Sequence, residues 1–291
     1  MTECAFVAEK AYAKVNLFLN VAGRRPDGYH DLEMFNATVS LCDDIRLERR
    51  PGADGVRIAS NDRFLENGAN LITRVAADLL LRHAPGAGLL IAIDKRIPAG
   101  AGLGGNSADA AAVIRGFDRL FGLNLPAEER ARIALRHGAD IPYCLAGGPA
   151  FVGGIGERIE PAAIDLSEWD ALVVKPDVFT ATETVFAVWD EGAYPQVSIR
   201  PFRAAVARND VAGMVAAMHN ALEPATFSIA PAVREWKEKL IRELGPSGVV
   251  MTGSGSTILK IHHGMTPDIT RFIAENRHGC RVFATKFMNK E

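Results

Sequence analysis

Hydrophobic positions recur along this chain with two different periods. Residues 14–21 alternate apolar and polar side chains, and 43–48 and 55–59 are shorter β-like runs, as expected of strands that bury one face. Pro26, Asp27 and Gly28 form a strong turn signal between them. Over 70–83 the spacing changes: Leu71, Ile72, Val75, Ala76, Leu79 and Leu80 fall on one side of a helix, and 88–93 returns to strand. The stretch 107–121 predicts a helix whose buried side is made of small residues, so that it can approach a sheet closely. Pro126, with Glu128 and Glu129 beside it, opens a second helix over 126–137 that stops at Gly138.

The remainder reads as a second α+β half. Residues 147–156 are glycine-rich and extended, and the domain boundary falls near Glu157, dividing the chain into 1–157 and 158–291. Strand 171–175 is followed by helical stretches at 182–190, 210–222 and 231–244. Strands at 248–251 and 257–261, a helix at 268–275 and a last strand at 281–286 complete it.

Composition narrows the class without naming a chemistry. A chain of 291 residues, 48% hydrophobic and 23% charged, is a globular protein with enough apolar surface for two ordinary cores. A net charge of −2 lacks the basic excess of a nucleic-acid or anionic-membrane binder, so neither is expected as a partner. Cys4, Cys42, Cys144 and Cys280 are scattered with no C-x-x-C pair, which disfavours a disulfide framework and a zinc site. Met1, Thr2, Glu3 and Cys4 do not begin a signal peptide, and no apolar run approaches the ~20 residues of a membrane helix. A cytoplasmic protein is expected.

The chemistry is concentrated in one loop. Pro98, Ala99, Gly100, Ala101, Gly102, Leu103, Gly104, Gly105, Asn106, Ser107 and Ala108 join an apolar strand to an alanine-rich helix. Glycines let backbone N–H groups converge on an anion, and the helix start adds unpaired amides and a positive dipole end. Two known templates nearly fit. Gly100, Gly102 and Gly105 match G-x-G-x-x-G, but Asp94, Lys95, Arg96, Ile97 and Pro98 intervene after the strand and no ribose-binding carboxylate follows near Leu125. A P-loop would need lysine where Asn106 stands, so its cation would come from Lys95, Arg96 or Lys14. A glycine turn that only packs a helix on a sheet is the remaining reading of the loop by itself.

Taken with Ala11, Tyr12, Ala13, Lys14, Val15, Asn16, Leu17, Phe18 and Leu19, and with Gly138, Ala139, Asp140, Ile141 and Pro142, the loop resembles the three signature segments of the GHMP kinases, in the same order. Gly28, Tyr29, His30, Asp31 and Leu32 resemble the branch of that superfamily that phosphorylates a cytidylylated polyol. Thr252, Gly253, Ser254, Gly255 and Ser256 resemble its late glycine-rich turn. The resemblance implies a two-domain α+β fold: 1–157 the N-terminal, ATP-binding GHMP domain, 158–291 the C-terminal GHMP domain, and the active site in the interdomain cleft. It also implies ATP and Mg²⁺, and transfer of the γ-phosphoryl group to the 2-hydroxyl of 4-diphosphocytidyl-2-C-methyl-D-erythritol, a small-molecule acceptor of the non-mevalonate isoprenoid route.

Roles follow residue by residue. The resemblance makes Asp140 the base for the acceptor hydroxyl and Lys14 its charged partner. It sets Asn70, Leu71 and Lys95 near the adenine, and Pro98 with Gly100 to Ala108 around the phosphates. Ser107 is the Mg²⁺ ligand or, as a local reading, a helix cap. Asn16, Tyr29, His30, Thr182 and Phe186 are expected against the acceptor, where an aromatic beside an imidazole can stack on a pyrimidine and hydrogen-bond its edge. Asn106 departs from the family's usual Gly or Ser. Two rivals stay open: a GHMP kinase acting on homoserine or mevalonate, and a non-catalytic ligand sensor on the same fold.

Overall fold

The computed structural model describes residues 6–66, 68, 70–276 and 278–289, so Cys4 and the rest of 1–5 lie outside the described residues. The chain forms two compact units, each gathered from discontinuous stretches. Among the described residues, one takes the stretch from Phe6 to Ala13, then Cys42–Ala99 and Gly104–Ala146; the other takes Lys14–Leu41, Gly100–Leu103 and the stretch that begins at Gly147. Two long strands, β1 (Phe6–Arg24) and β2 (His30–Arg50), contribute residues to both.

In the first unit β3 (Gly55–Ser60), α1 (Leu71–His83), β4 (Gly88–Asp94), α2 (Gly105–Phe121), α3 (Ala127–His137) and α4 (Ile141–Ala146) follow in order. The C-terminal part of β2 runs antiparallel to β4 from Asp44 opposite Asp94 to Arg50 opposite Gly88, and β3 runs parallel to β4. The predicted apolar face of α1 is buried at Ile72, Val75, Ala76, Leu79 and Leu80. On α2, Ala108, Ala110, Ala111 and Ala112 are buried, and a Cβ on Gly116 would come within 2.5 Å of Leu47 Cδ1. The expected close approach of small residues therefore occurs. These side chains, with Leu89, Ile91, Phe117 and Ile141, make a continuous apolar core.

The second unit holds β5 (Ala150–Gly154), β6 (Arg158–Pro161), β7 (Asp170–Pro176), α5 (Thr182–Glu191), α6 (Arg200–Ala207), α7 (Val211–Ala216), β8 (His219–Asn220), α8 (Glu223–Ile229), α9 (Pro231–Leu244), β9 (Val249–Met251), β10 (Ile258–His262), α10 (Pro267–Glu275) and β11 (Cys280–Met288). The N-terminal part of β2, β11, β7, β10 and β9 lie side by side, every pair antiparallel. Its core includes Phe18, Phe35, Phe151 and Phe202, with ring centroids 4.9–5.4 Å apart for the three closest pairs.

One predicted helix is shorter than the pattern suggests. Helix α7 stops at Ala216, and His219 and Asn220 pair with Phe18 and Leu19 instead. Asn220 Nδ2 donates to the carbonyls of Met251 and Gly253, so partners distant in sequence override the local helical spacing. Cys42, Cys144 and Cys280 are free thiols. Among the described residues no helix is long and apolar enough to cross a membrane.

Candidate active site

Three sequence-predicted segments meet in the second unit. Lys14 N donates to Leu103 O at 3.0 Å, which ties β1 to the glycine loop. Two residues on, and so on the same strand face, Asn16 N donates to Thr252 Oγ1 at 2.8 Å, which ties β1 to the late glycine turn. Lys14 and Asn16 are both buried, and Lys14 Nζ donates to Asn16 Oδ1 at 2.9 Å. Asn16 Nδ2 donates in turn to Asn36 Oδ1 at 2.6 Å, so the amide that receives the ammonium is itself held from behind.

The loop and the turn approach backbone to backbone at their glycines, and Thr252 Oγ1 also lies 3.5 Å from Gly102 O. A Cβ on Gly102 would stand 2.5 Å from Thr252 O, and one on Gly253 would stand 3.1 Å from Gly102 O. Gly100, Gly102 and Gly104 all have left-handed φ, of 58°, 72° and 67°, while Ala101 and Leu103 do not. Glycine adopts this left-handed backbone without the steric penalty that a Cβ would bring.

In the first unit Gly104 sits at the N-cap of α2, and no side chain caps the helix start. The first helical bond runs from Ala108 N to Gly104 O at 2.8 Å, so the amides before it have no carbonyl of the helix to bond. Asn106 is exposed and Ser107 half-buried on this turn, and Pro98 is buried before it. Asn70 caps α1: its Oδ1 accepts from Thr73 N at 2.9 Å, and its Nδ2 donates to Leu65 O at 2.6 Å. Leu71, next along, packs on the core. Asp140 stands half-buried just before α4, its carbonyl accepting from Cys144 N at 3.1 Å, and Pro142 occupies the first turn.

Lys95 has partners that the sequence did not single out. Its Nζ is 2.5 Å from Asp43 Oδ2 and 2.6 Å from Asp109 Oδ2, and both carboxylates are fully buried. Asp43 Oδ1 also accepts from Arg96 N and Ile97 N, so this cluster fixes the backbone entering the glycine loop. Burial alone would lower the Lys95 pKa, but the charges of Asp109 and Asp43 outweigh it and hold the ammonium above its ordinary value. Burial raises Asp109 to about 7 against the pull of Lys95, with Asp43 adding to the rise. One ammonium facing two carboxylates leaves an excess negative charge that a proton relieves.

Of the residues expected against the acceptor, His30 and Phe186 come together. His30 stacks on Phe186 with centroids 4.6 Å apart and an interplanar angle of 20°, while Trp189 meets the imidazole edge-on at 5.9 Å. His30 Nε2 lies 2.7 Å from Asp190 Oδ1. Thr182 Oγ1 is 2.9 Å from Ser254 Oγ, which connects α5 to the late glycine turn. Tyr29 is 59% exposed on the preceding turn, where its N–H donates to Asp27 Oδ1 at 3.1 Å. Sequence reasoning missed Trp189 and Asp190, although they stand three and four residues beyond Phe186, on the same side of α5.

No described group of three or more His, Cys, Asp or Glu side chains can hold a metal ion by itself. A divalent cation at Ser107 would therefore depend on phosphate oxygens brought by a nucleotide, a donor set that suits a hard cation.

Two family models match this chain: the GHMP kinases N terminal domain over residues 70–148 and the GHMP kinases C terminal domain over 202–263. The 4-diphosphocytidyl-2-C-methyl-D-erythritol kinase of Thermoanaerobacter pseudethanolicus is 36% identical over 97% of this chain and 94% of its own length. That of Enterococcus faecalis is 38% identical over 88% of this chain and 89% of its own. A crystal structure of 4-(cytidine 5'-diphospho)-2C-methyl-D-erythritol kinase superposes with a TM-score of 0.78 at 33% identity, covering 97% of this chain and 99% of that one. Homoserine kinase from Cytophaga hutchinsonii superposes with a TM-score of 0.76 at 17% identity, over 99% and 97% of the two chains, a likeness of fold.

Proposed function

The chain belongs to the GHMP kinases, and within them to the 4-diphosphocytidyl-2-C-methyl-D-erythritol kinases, and from that premise we propose how its residues perform the reaction. It is an ATP-dependent small-molecule kinase that phosphorylates a cytidylylated methylerythritol, at the 2-hydroxyl in our reading. The observation that carries the assignment of residues is the run of left-handed glycines leading into the uncapped start of α2.

Phosphoryl transfer to an alcohol needs a held nucleotide, a positioned hydroxyl and compensation for charge in a loose transition state. Gly100, Ala101, Gly102, Leu103, Gly104, Gly105, Asn106, Ser107 and Ala108 would hold the phosphates through backbone amides, with Pro98 and Lys95 bordering them and Asn70 and Leu71 beside the base. Mg²⁺, held by Ser107 together with the phosphates, would supply charge neutralisation there. Lys95 contributes mainly by fixing the loop, because its ammonium already serves Asp43 and Asp109.

Asp140 accepts the proton of the acceptor hydroxyl, and Lys14, oriented by Asn16, stabilises the charge that develops there. A 2-hydroxyl on a methyl-bearing carbon is tertiary and hindered, so alignment matters more than base strength. Tyr29, His30, Thr182 and Phe186 provide that alignment by gripping the cytidine far from the reacting oxygen, which lets remote binding energy position the hydroxyl. The stack of His30 on Phe186 supports this role.

The test is ADP release with 4-diphosphocytidyl-2-C-methyl-D-erythritol measured beside homoserine and mevalonate. Turnover confined to the cytidylylated acceptor is the expected result. Preference for homoserine or mevalonate would move the chain to another branch of the superfamily, and binding without turnover of any acceptor would make it a sensor.

A further inference from the structure

The partner of His30 carries information that the stack alone does not. At neutral pH a carboxylate only accepts hydrogen bonds, so the 2.7 Å contact with Asp190 Oδ1 places a proton on His30 Nε2. A neutral imidazole has one N–H and one lone pair, which leaves Nδ1 as an acceptor. No described residue hydrogen-bonds Nδ1. The ring is held in this orientation by Phe186 on its face and Trp189 at its edge, and the side chain is only 9% exposed. Arg24 Nη1 approaches the other oxygen of Asp190 at 3.4 Å, so guanidinium, carboxylate and imidazole form a chain with a direction.

Pyrimidines differ at the position such an acceptor would read. Cytosine presents an exocyclic amine, a donor, where uracil presents a carbonyl. We propose that Asp190 is a positioning residue that sets the choice of base: by keeping the proton on Nε2 it offers His30 Nδ1 to the amine of cytosine and turns it against the carbonyl of uracil. The inference rests on the reading of His30 as a contact of the cytidine. It adds a residue to that site and a reason for cytosine rather than merely a flat pyrimidine.

Asp190→Asn is the informative substitution. Arg24 draws the new amide's carbonyl oxygen, so the amide N–H faces Nε2, the imidazole proton moves to Nδ1, and the donor and acceptor edges exchange. Asp190→Glu keeps a carboxylate. The experiment compares kcat/KM for the cytidine-linked acceptor and its uridine-linked analogue in the wild type and both variants, with circular dichroism as the check on folding. It is joined by ¹⁵N NMR of histidine-labelled wild type at pH 8, with the His30→Asn spectrum identifying the ring, before and after addition of CMP or UMP.

The expected results are an Nε2–H tautomer in the wild type, perturbation of Nδ1 by CMP but not UMP, and a fall of about tenfold or more in the cytidine-to-uridine ratio for Asp190→Asn. Asp190→Glu should restore most of the ratio. An Nδ1–H tautomer in the wild type, or an unchanged ratio in folded Asp190→Asn, overturns the proposal while leaving the kinase assignment intact. Should Asp190→Asn fail to fold, equal response of Nδ1 to CMP and UMP overturns it independently. A wild-type ring that responds to neither nucleotide, in an enzyme that turns over neither acceptor, overturns this inference and the cytidine reading together.

Discussion

Lys14, Lys95 and Asp140 were all candidates for chemistry in the sequence, and their surroundings divide the work among them. Lys14 Nζ donates to the Asn16 amide, and Lys95 is held between two buried carboxylates. Lys95→Met would leave Asp43 and Asp109 without their ammonium, a loss expected to cost about 3–5 kcal/mol and to appear as a lower urea midpoint. Unchanged stability would show that the cluster does not hold the loop entrance. Because the folded state raises the Asp109 pKa to about 7, the native protein binds an extra proton between roughly pH 4 and 7, and this group's contribution to stability falls as pH rises through that window. Asp109→Asn should flatten that slope in urea denaturation at pH 5 and pH 8; an equal slope in the variant would place the titration elsewhere. For the reaction itself, Asp140→Asn should lower kcat by roughly 10²- to 10⁴-fold while ATP binding by calorimetry persists. Near-normal turnover in the folded variant would remove Asp140 from the mechanism.

At the scale of elements, the glycine loop was legible because its backbone conformation dictates its residues. Left-handed positions favour glycine, and three of them at alternate positions write their conformation into the sequence. What the loop rests on was not legible in the same way, since Thr252 and Gly255 lie about 150 residues away and meet Gly102 only after folding. Gly102→Val tests both facts, because it strains φ and drives a side chain against the carbonyl of Thr252. ATP affinity should disappear in calorimetry; retained affinity would mean the phosphates bind elsewhere. Asn70 was expected near the adenine, and it is also the cap of α1. Asn70→Ala should therefore cost about 1 kcal/mol of stability whatever its effect on the nucleotide. A fully stable variant would show that the cap bonds contribute nothing net.

At the scale of the molecule, the proposed cytidine grip makes acceptor selection depend on binding energy realised far from the reacting oxygen. 2-C-methyl-D-erythritol 4-phosphate, which lacks the cytidine, should be phosphorylated poorly relative to the cytidylylated form, and CDP should compete with the acceptor. Equal efficiency on the two substrates would reject the cytidine grip. Sequence by itself determined most of the local elements, the α+β class, the glycine loop and the family, because hydrophobic period, turn glycines and short motifs are properties of neighbouring residues. Tertiary structure alone decided that each compact unit is gathered from separated stretches, with β1 and β2 contributing to both. It also decided that residues 210–222 break into a short helix and a bridging strand, that Lys95 answers to Asp43 and Asp109, and that His30 answers to Asp190. Those outcomes depend on which distant groups meet in a low-dielectric interior. There a buried donor, acceptor or charge must find its partner within the fold, and sequence spacing does not record which partner it will be.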